Sequence, residues 1–208
     1  MKKLTPLLLV LLVSVSCQKD PDMSDLSGNF LVYTDYDTTE NFGEFETYYL
    51  PDSILLITSS KTPSYWKDEQ AQLLLSTVVS NMDNYGYVRV ADKESADLGL
   101  QLSYIESTYY FTNYSNPYWW WDYPGYWYPG YWGGYWGGGW YYPYAVTYNY
   151  TTGSMLMEMV KLDTTAKKLP IIWDAYMSGL LYSSNRLNVQ LTASAIEQAF
   201  EQSTYLQK

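Results

Sequence analysis

Apolar and polar residues alternate strictly from Leu98 to Tyr104, where Leu98, Leu100, Leu102 and Tyr104 are separated by Gly99, Gln101 and Ser103. Period two puts the first set on one side of an extended chain, which predicts a half-buried strand. Upstream the period lengthens. From Tyr65 onwards Leu74, Val78, Met82 and Tyr85 recur at helical spacing with Leu75 and Val79 beside them, after a polar opening of Lys67, Asp68, Gln70 and Gln72. Asn84-Tyr85-Gly86 supplies the stop. Phe30 to Tyr36 has strand composition, followed by a turn over Asp35 to Asn41. Phe45 to Thr58 is extended and interrupted at Pro51-Asp52, and Ser59 to Ser64 reads as a loop. Tyr87, Val88 and Val90 begin another strand, and Lys93 to Ala96 makes a turn. Further on, Met155, Met157, Met159 and Lys161 alternate with Leu156, Glu158, Val160 and Leu162. Pro170 to Leu181 follows as a strand centred on Ile171, Ile172, Trp173 and Tyr176. A closing helix, from about Asn188 to Ser203, places Leu191, Ala195, Ala199 and Phe200 on one face. The expected fold is α+β: a mainly antiparallel sheet with two helices packed on one face, and a core including Leu74, Val78, Leu100, Ile172 and Phe200.

Two segments do not fit that domain. The first is N-terminal. Lys2 and Lys3 precede an apolar stretch from Leu4 to Val15, then Ser16 and Cys17, the single cysteine of the chain. A basic start, a short apolar core and a small residue before the cut define a secretory signal peptide over residues 1–16. The apolar stretch falls short of the ~20 residues that span a bilayer. A cysteine at the cleavage point resembles a bacterial lipobox, which makes Cys17 the expected lipidation site and a lipid the membrane anchor. Gln18, Lys19 and Asp20 resemble the tag that sends some Gram-negative lipoproteins to the outer face of the outer membrane. Residues 17–28 are polar and acidic, as suits a tether, and residues 29–208 make one domain.

The second segment is an insertion at about 113–150. Between Tyr118 and Tyr144 every residue except Asp122 is Trp, Tyr, Gly or Pro. Gly and Pro oppose a long helix, and with no Leu, Ile or Val the segment lacks ordinary core material. A long hairpin extension or loop projecting from the sheet is the simplest geometry. Three roles fit it: a self-packed aromatic loop over one face of the sheet, a binding surface for a glycan, an envelope polymer or a protein, or a membrane-interface element. For the latter two, Trp119, Trp120, Trp121, Trp127, Trp132, Trp136 and Trp140 form the candidate binding surface, since indole offers the largest face for stacking.

Charge and composition narrow the chemistry. The formal net charge is −10, and signal removal would take away two lysines and no acid. That argues against nucleic acid, whose binding neutralises phosphates with Lys and Arg. The chain has no histidine, which excludes His-based triads and His-bearing zinc sites. The glycines at 133–139 lack the lysine and helix of a phosphate loop. No catalytic residue, metal site or cofactor is expected. The alternative enzyme class is a glycan hydrolase using paired carboxylates, with Glu44, Glu46, Glu106 and Asp174 as candidates. Asp20, Asp22 and Asp25 lack a calcium-loop framework. Asp52-Ser53-Ile54 resembles the acceptor of a general O-glycosylation system of some Gram-negative envelopes, with Ser53 as the modified residue. The sequons at Asn113 and Asn149 are expected to stay unused in a bacterial lipoprotein.

Several short runs resemble the bacterial lipoprotein family catalogued as domain of unknown function 4136. They are Val32-Tyr33-Thr34-Asp35-Tyr36-Asp37, Phe45-Glu46-Thr47-Tyr48, Asn84-Tyr85-Gly86-Tyr87 and Ala96-Asp97-Leu98, followed by a strand bearing Trp173 and a closing helix. The resemblance covers most of residues 30–203. It implies an envelope lipoprotein of α+β fold in which a Trp/Tyr/Gly-rich insertion at this position is common, and it implies no catalytic residues.

Overall fold

The computed structural model describes residues 30–58, 64–106, 140–141, 143, 151–162, 169–182 and 186–208. Three long strands form the centre: β6 (Leu98–Ile105), β8 (Ser154–Lys161) and β9 (Leu169–Ser178). They pair antiparallel in the order β6-β8-β9, and β1 (Leu31–Tyr36) adds antiparallel to β9 as an edge strand. On the other side of β6 the pairing becomes parallel, through β2 (Thr47–Tyr49) at one end of the strand and β3 (Ile54–Ile57) at the other. The interruption at Pro51-Asp52 produces this split, because a proline cannot donate to a ladder. β4 (Ser64–Trp66) pairs with β3, β5 (Val88–Arg89) with β2, and β7 (Trp140–Tyr141) runs parallel to the start of β9, which completes a nine-stranded sheet. A separate ribbon joins β10 (Leu181–Tyr182) to β11 (Arg186–Leu187).

Helix α1 (Glu69–Asn84) begins four residues after Tyr65, at which the helical pattern first shows. Tyr65 and Trp66 belong to β4 instead. Asp68 fixes the boundary: its carboxylate accepts from the Gln70 and Ala71 N–H groups and from the Trp66 indole at 2.6 Å, satisfying helix donors that otherwise lack partners. Asn188 caps α2 (Val189–Gln202) in the same manner, accepting from Leu191 N at 3.1 Å. Leu74, Val78 and Met82 of α1 and Ala195, Ile196, Ala199 and Phe200 of α2 pack with Leu98, Leu100 and Leu102, Met155, Met157 and Met159, and Trp173, Ala175 and Met177. Both helices therefore lie on one face, as the α+β reading requires.

The opposite face departs from expectation. β6 is not half-buried: Gln101 is 1% exposed and Ser103 is 0%. On the same side Leu156, Glu158, Val160 and Asp174 are all 0% exposed and Tyr176 is 3%. Period-two alternation reports side-chain polarity, and here the second polarity class is buried too. The central strands therefore carry two interiors, one apolar beneath the helices and one mixed.

Candidate functional site

β6 and β8 pair through to Ile105 and Ser154, and the last bond closes the pair, Gly153 N–H to the Ile105 carbonyl at 2.7 Å. Glu106 N–H donates to the Ile57 carbonyl, so the outgoing chain is also held by β3. On the returning chain, Thr151 N–H donates to the Tyr176 hydroxyl at 3.1 Å, and the Thr151, Ser154 and Tyr176 hydroxyls lie 2.8–2.9 Å from one another. This hydroxyl triangle ties the returning chain to β9. The connection between Glu106 and Thr151 thus departs from and returns to one closed strand end, and within it β7 pairs with Leu169 and Pro170 at the opposite end of β9.

Of the aromatic residues read as a binding surface, Trp119, Trp120, Trp121, Trp127, Trp132 and Trp136 lie outside the described residues, and Trp140 falls in the backbone of β7. Residues 1–16, Cys17 and the Gln18-Lys19-Asp20 run also lie outside them. Ser53 is 3% exposed, so a sugar would have to be attached before the domain folds.

The structure does not assemble the predicted acids. Glu44 is exposed and accepts from Asn41 Nδ2, while Glu46 is exposed and pairs with Lys208 Nζ at 2.9 Å. Glu106 sits beyond the far end of β6 from Glu46: β2 meets β6 at Leu98, whereas Glu106 follows Ile105. Glu46 is level with Ala96 in that register, so at ~3.3 Å per residue the two acids are roughly 33 Å apart along the strand. Asp174 does have an acidic neighbour, one the sequence reading passed over. It stands opposite Glu158 in the β8·β9 register, with Gln101 opposite Glu158 on β6 and Asp35 opposite Asp174 on β1. One row across four strands therefore reads Gln101, Glu158, Asp174, Asp35. Burial first, and then the negative charge of Asp174, push the Glu158 carboxyl well above the ordinary range. Glu158 is detectable in the sequence as the lone acid in a run of large apolar residues from Met155 to Val160. With both carboxyls 0% exposed, a polysaccharide cannot reach the pair in this conformation.

Among the described residues no group of three or more Asp, Glu, Cys or His side chains is placed to hold a metal ion. Likewise, none of the described helices is long and apolar enough to cross a membrane. A shallow groove runs between the N-terminal turns of the two helices, lined by Glu69, Leu73, Leu187 and Val189.

An open mixed sheet with both described helices on one face and a long insertion at the end of a central strand pair defines an α+β scaffold. The chain belongs to the DUF4136 family, a domain of unknown function, whose model matches residues 32–203. A crystal structure of a DUF4136 family protein from Bacteroides thetaiotaomicron VPI-5482 superposes with a TM-score of 0.77 at 53% identity, covering 86% of this chain and 98% of that one. A dodecameric PelC variant from Paraburkholderia phytofirmans matches over the same shares at 11% identity with a TM-score of 0.40. No curated protein matches.

Proposed function

We propose that this protein is a lipid-anchored component of a Gram-negative outer membrane, facing the exterior, whose α+β domain is a non-catalytic platform for the Trp/Tyr/Gly-rich insertion. The observation carrying this reading is the closed root at Ile105 and Ser154. The segment departs from and returns to one hydrogen-bonded strand pair, with the two-residue β7 pairing back to β9 on the way, and rigid scaffolds bearing long loops are the common arrangement of binding proteins. Aromatic side chains with almost no charge suit the faces of sugar rings or a lipid headgroup region. The expected partner is a glycan, an envelope polymer, a protein or the membrane surface.

A second reading has its own support. The complete burial of Leu156, Glu158 and Val160 on the face opposite the two described helices favours the insertion as a structural cover for the sheet. Replacing residues 118–144 by a short Gly/Ser linker separates the two. A platform keeps its cooperative melt, with only the two-residue β7 pairing to β9 lost, and loses retention on immobilised envelope glycan or on liposomes, because shortening a loop changes closure entropy little. A structural cover gives a domain that no longer melts cooperatively. The variant retains only Trp66 and Trp173, so its fluorescence, subtracted from that of the parent, isolates the indoles of the insertion. Acrylamide quenching that is relieved by glycan or by liposomes would name the partner class.

A further inference from the structure

The mixed interior on the face opposite the two described helices holds two acids that the proposed binding role does not use. Glu158 and Asp174 face each other across β8 and β9. Directly opposed strand residues have Cβ atoms ~5 Å apart, and both residues are 0% exposed. Two full negative charges at that separation, out of water, cost far more than one charge and one neutral acid.

We propose that Glu158 and Asp174 share a single proton in the folded domain and so make the face of the sheet opposite the two described helices sensitive to alkali. The surrounding groups on the described elements support this arrangement. β6 offers Gln101 and Ser103, which are hydrogen-bonded to each other at 3.3 Å and carry no charge. β1 offers Asp35, which adds negative charge, and Tyr33, while β9 offers Tyr176, engaged with Ser154 and Thr151. Leu156 and Val160 flank Glu158 along β8. Lys161 reaches the other way, to Glu40 at 3.0 Å and over the Phe45 ring. The whole connection from Glu106 to Thr151 contains no Lys or Arg.

The direction of the pH effect follows from proton counting. A buried acid whose affinity for its proton is raised by folding binds more protons in the folded than in the unfolded chain, once pH exceeds the ordinary carboxylate range. Stability from this source is full below that range and falls as pH rises towards the folded value. The physical consequence is a sheet face that is firm in mild acid and weakened in mild alkali.

Thermal melts of the full chain in detergent, from about pH 5 to about pH 8, with Glu158→Gln and Asp174→Asn tested singly and together, decide the matter. Wild type should lose melting temperature across that range. Each single variant should flatten the slope and melt above wild type at the alkaline end, and the double variant should add nothing further, since one neutral member suffices. Unchanged slopes in both single variants would overturn the proposal. Should the variants fail to fold, infrared spectroscopy of wild type still tests it: a buried protonated-carboxyl stretch must persist at neutral pH, and its absence refutes the shared proton.

Discussion

The side chains of Asp97 and Thr47 clasp each other's backbones. Asp97 Oδ2 accepts from Thr47 N–H at 2.9 Å and from the Thr47 hydroxyl at 3.0 Å, while Thr47 Oγ1 accepts from Asp97 N–H at 3.0 Å. Glu46 N–H adds a third donor to the same carboxylate oxygen at 2.8 Å. These bonds sit where β2 meets β6 in parallel, a pairing that no turn can fix because the two strands are far apart in sequence. The family-like runs Phe45-Glu46-Thr47-Tyr48 and Ala96-Asp97-Leu98 are thus two halves of one structural device.

Asp97→Asn should therefore destabilise the domain by about 1.5–3 kcal/mol, the usual value of hydrogen bonds to a charged group. Partial burial pushes the Asp97 carboxyl up, but the N–H groups of Glu46 and Thr47, the Thr47 hydroxyl and the Lys208 charge outweigh it and hold the group below its ordinary range. A depressed acid contributes stability above its unfolded value and loses it as pH falls through the folded one. Urea titrations at neutral and acidic pH should show the variant's deficit shrinking in acid. A deficit independent of pH would rule out the charge as its source.

At the other end of the core, Trp173 Nε1 donates to Ser203 Oγ at 2.9 Å, and Trp173 is 0% exposed. Ser203 follows α2 directly, where Ser203 N–H donates to the Phe200 carbonyl, and the Phe200 ring lies 5.7 Å from the Trp173 ring. Ser203→Ala removes the acceptor and leaves the buried indole N–H only its interaction with the Tyr205 hydroxyl, at a cost of about 1 kcal/mol. Tyr205, whose hydroxyl also reaches Ser203 at 3.2 Å, loses the same partner. The fluorescence of Trp173 in the linker variant should change with this substitution before the helix signal does. An unaltered melt would mean that the indole N–H is satisfied in another way.

The helices were legible because their apolar spacing and caps agree: Asp68 and Asn188 stand where the periodic stretches begin. The strand existence calls for no more than alternation and turn residues, so β1, β6, β8 and β9 follow from pattern alone. Parallel pairing of β2 and β3 with β6 was not legible, since register between distant strands depends on contacts such as Asp97 with Thr47. The second interior was hidden for a different reason. Gln101, Ser103 and Glu158 have the polarity of a solvated face, and burial of polar groups depends on what covers them. The Glu158–Asp174 pair needed the register of β8 against β9 before it could be seen at all.

Gly153 closes the root of the insertion with a φ of +81°, and a Cβ there would run into the Leu181 side chain. Both the left-handed backbone and the close approach favour glycine. Gly153→Ala should cost about 2–4 kcal/mol, from backbone strain and overpacking together. Because the Gly153 N–H bond to Ile105 terminates the β6–β8 ladder, amide exchange should accelerate first at Ser154 and Ile105, with α1 unaffected. A uniform loss of protection would indicate global unfolding rather than a loosened root.

The membrane anchor is tested separately from the domain. If Cys17 carries the lipid, a palmitate analogue supplied to cells should label wild type, and Cys17→Ala should be unlabelled and released into the soluble fraction. The α+β domain includes Phe30, and a polar, acidic stretch between Cys17 and Gly28 has the composition of a tether that would hold the domain clear of the bilayer. Substituting Lys19 and Asp20 by Ala should leave labelling intact and alter the face exposed. Protease added to intact cells should then degrade wild type and spare the variant. Degradation of both would show that Gln18-Lys19-Asp20 is not the export signal, and protection of both would place wild type on the inner face.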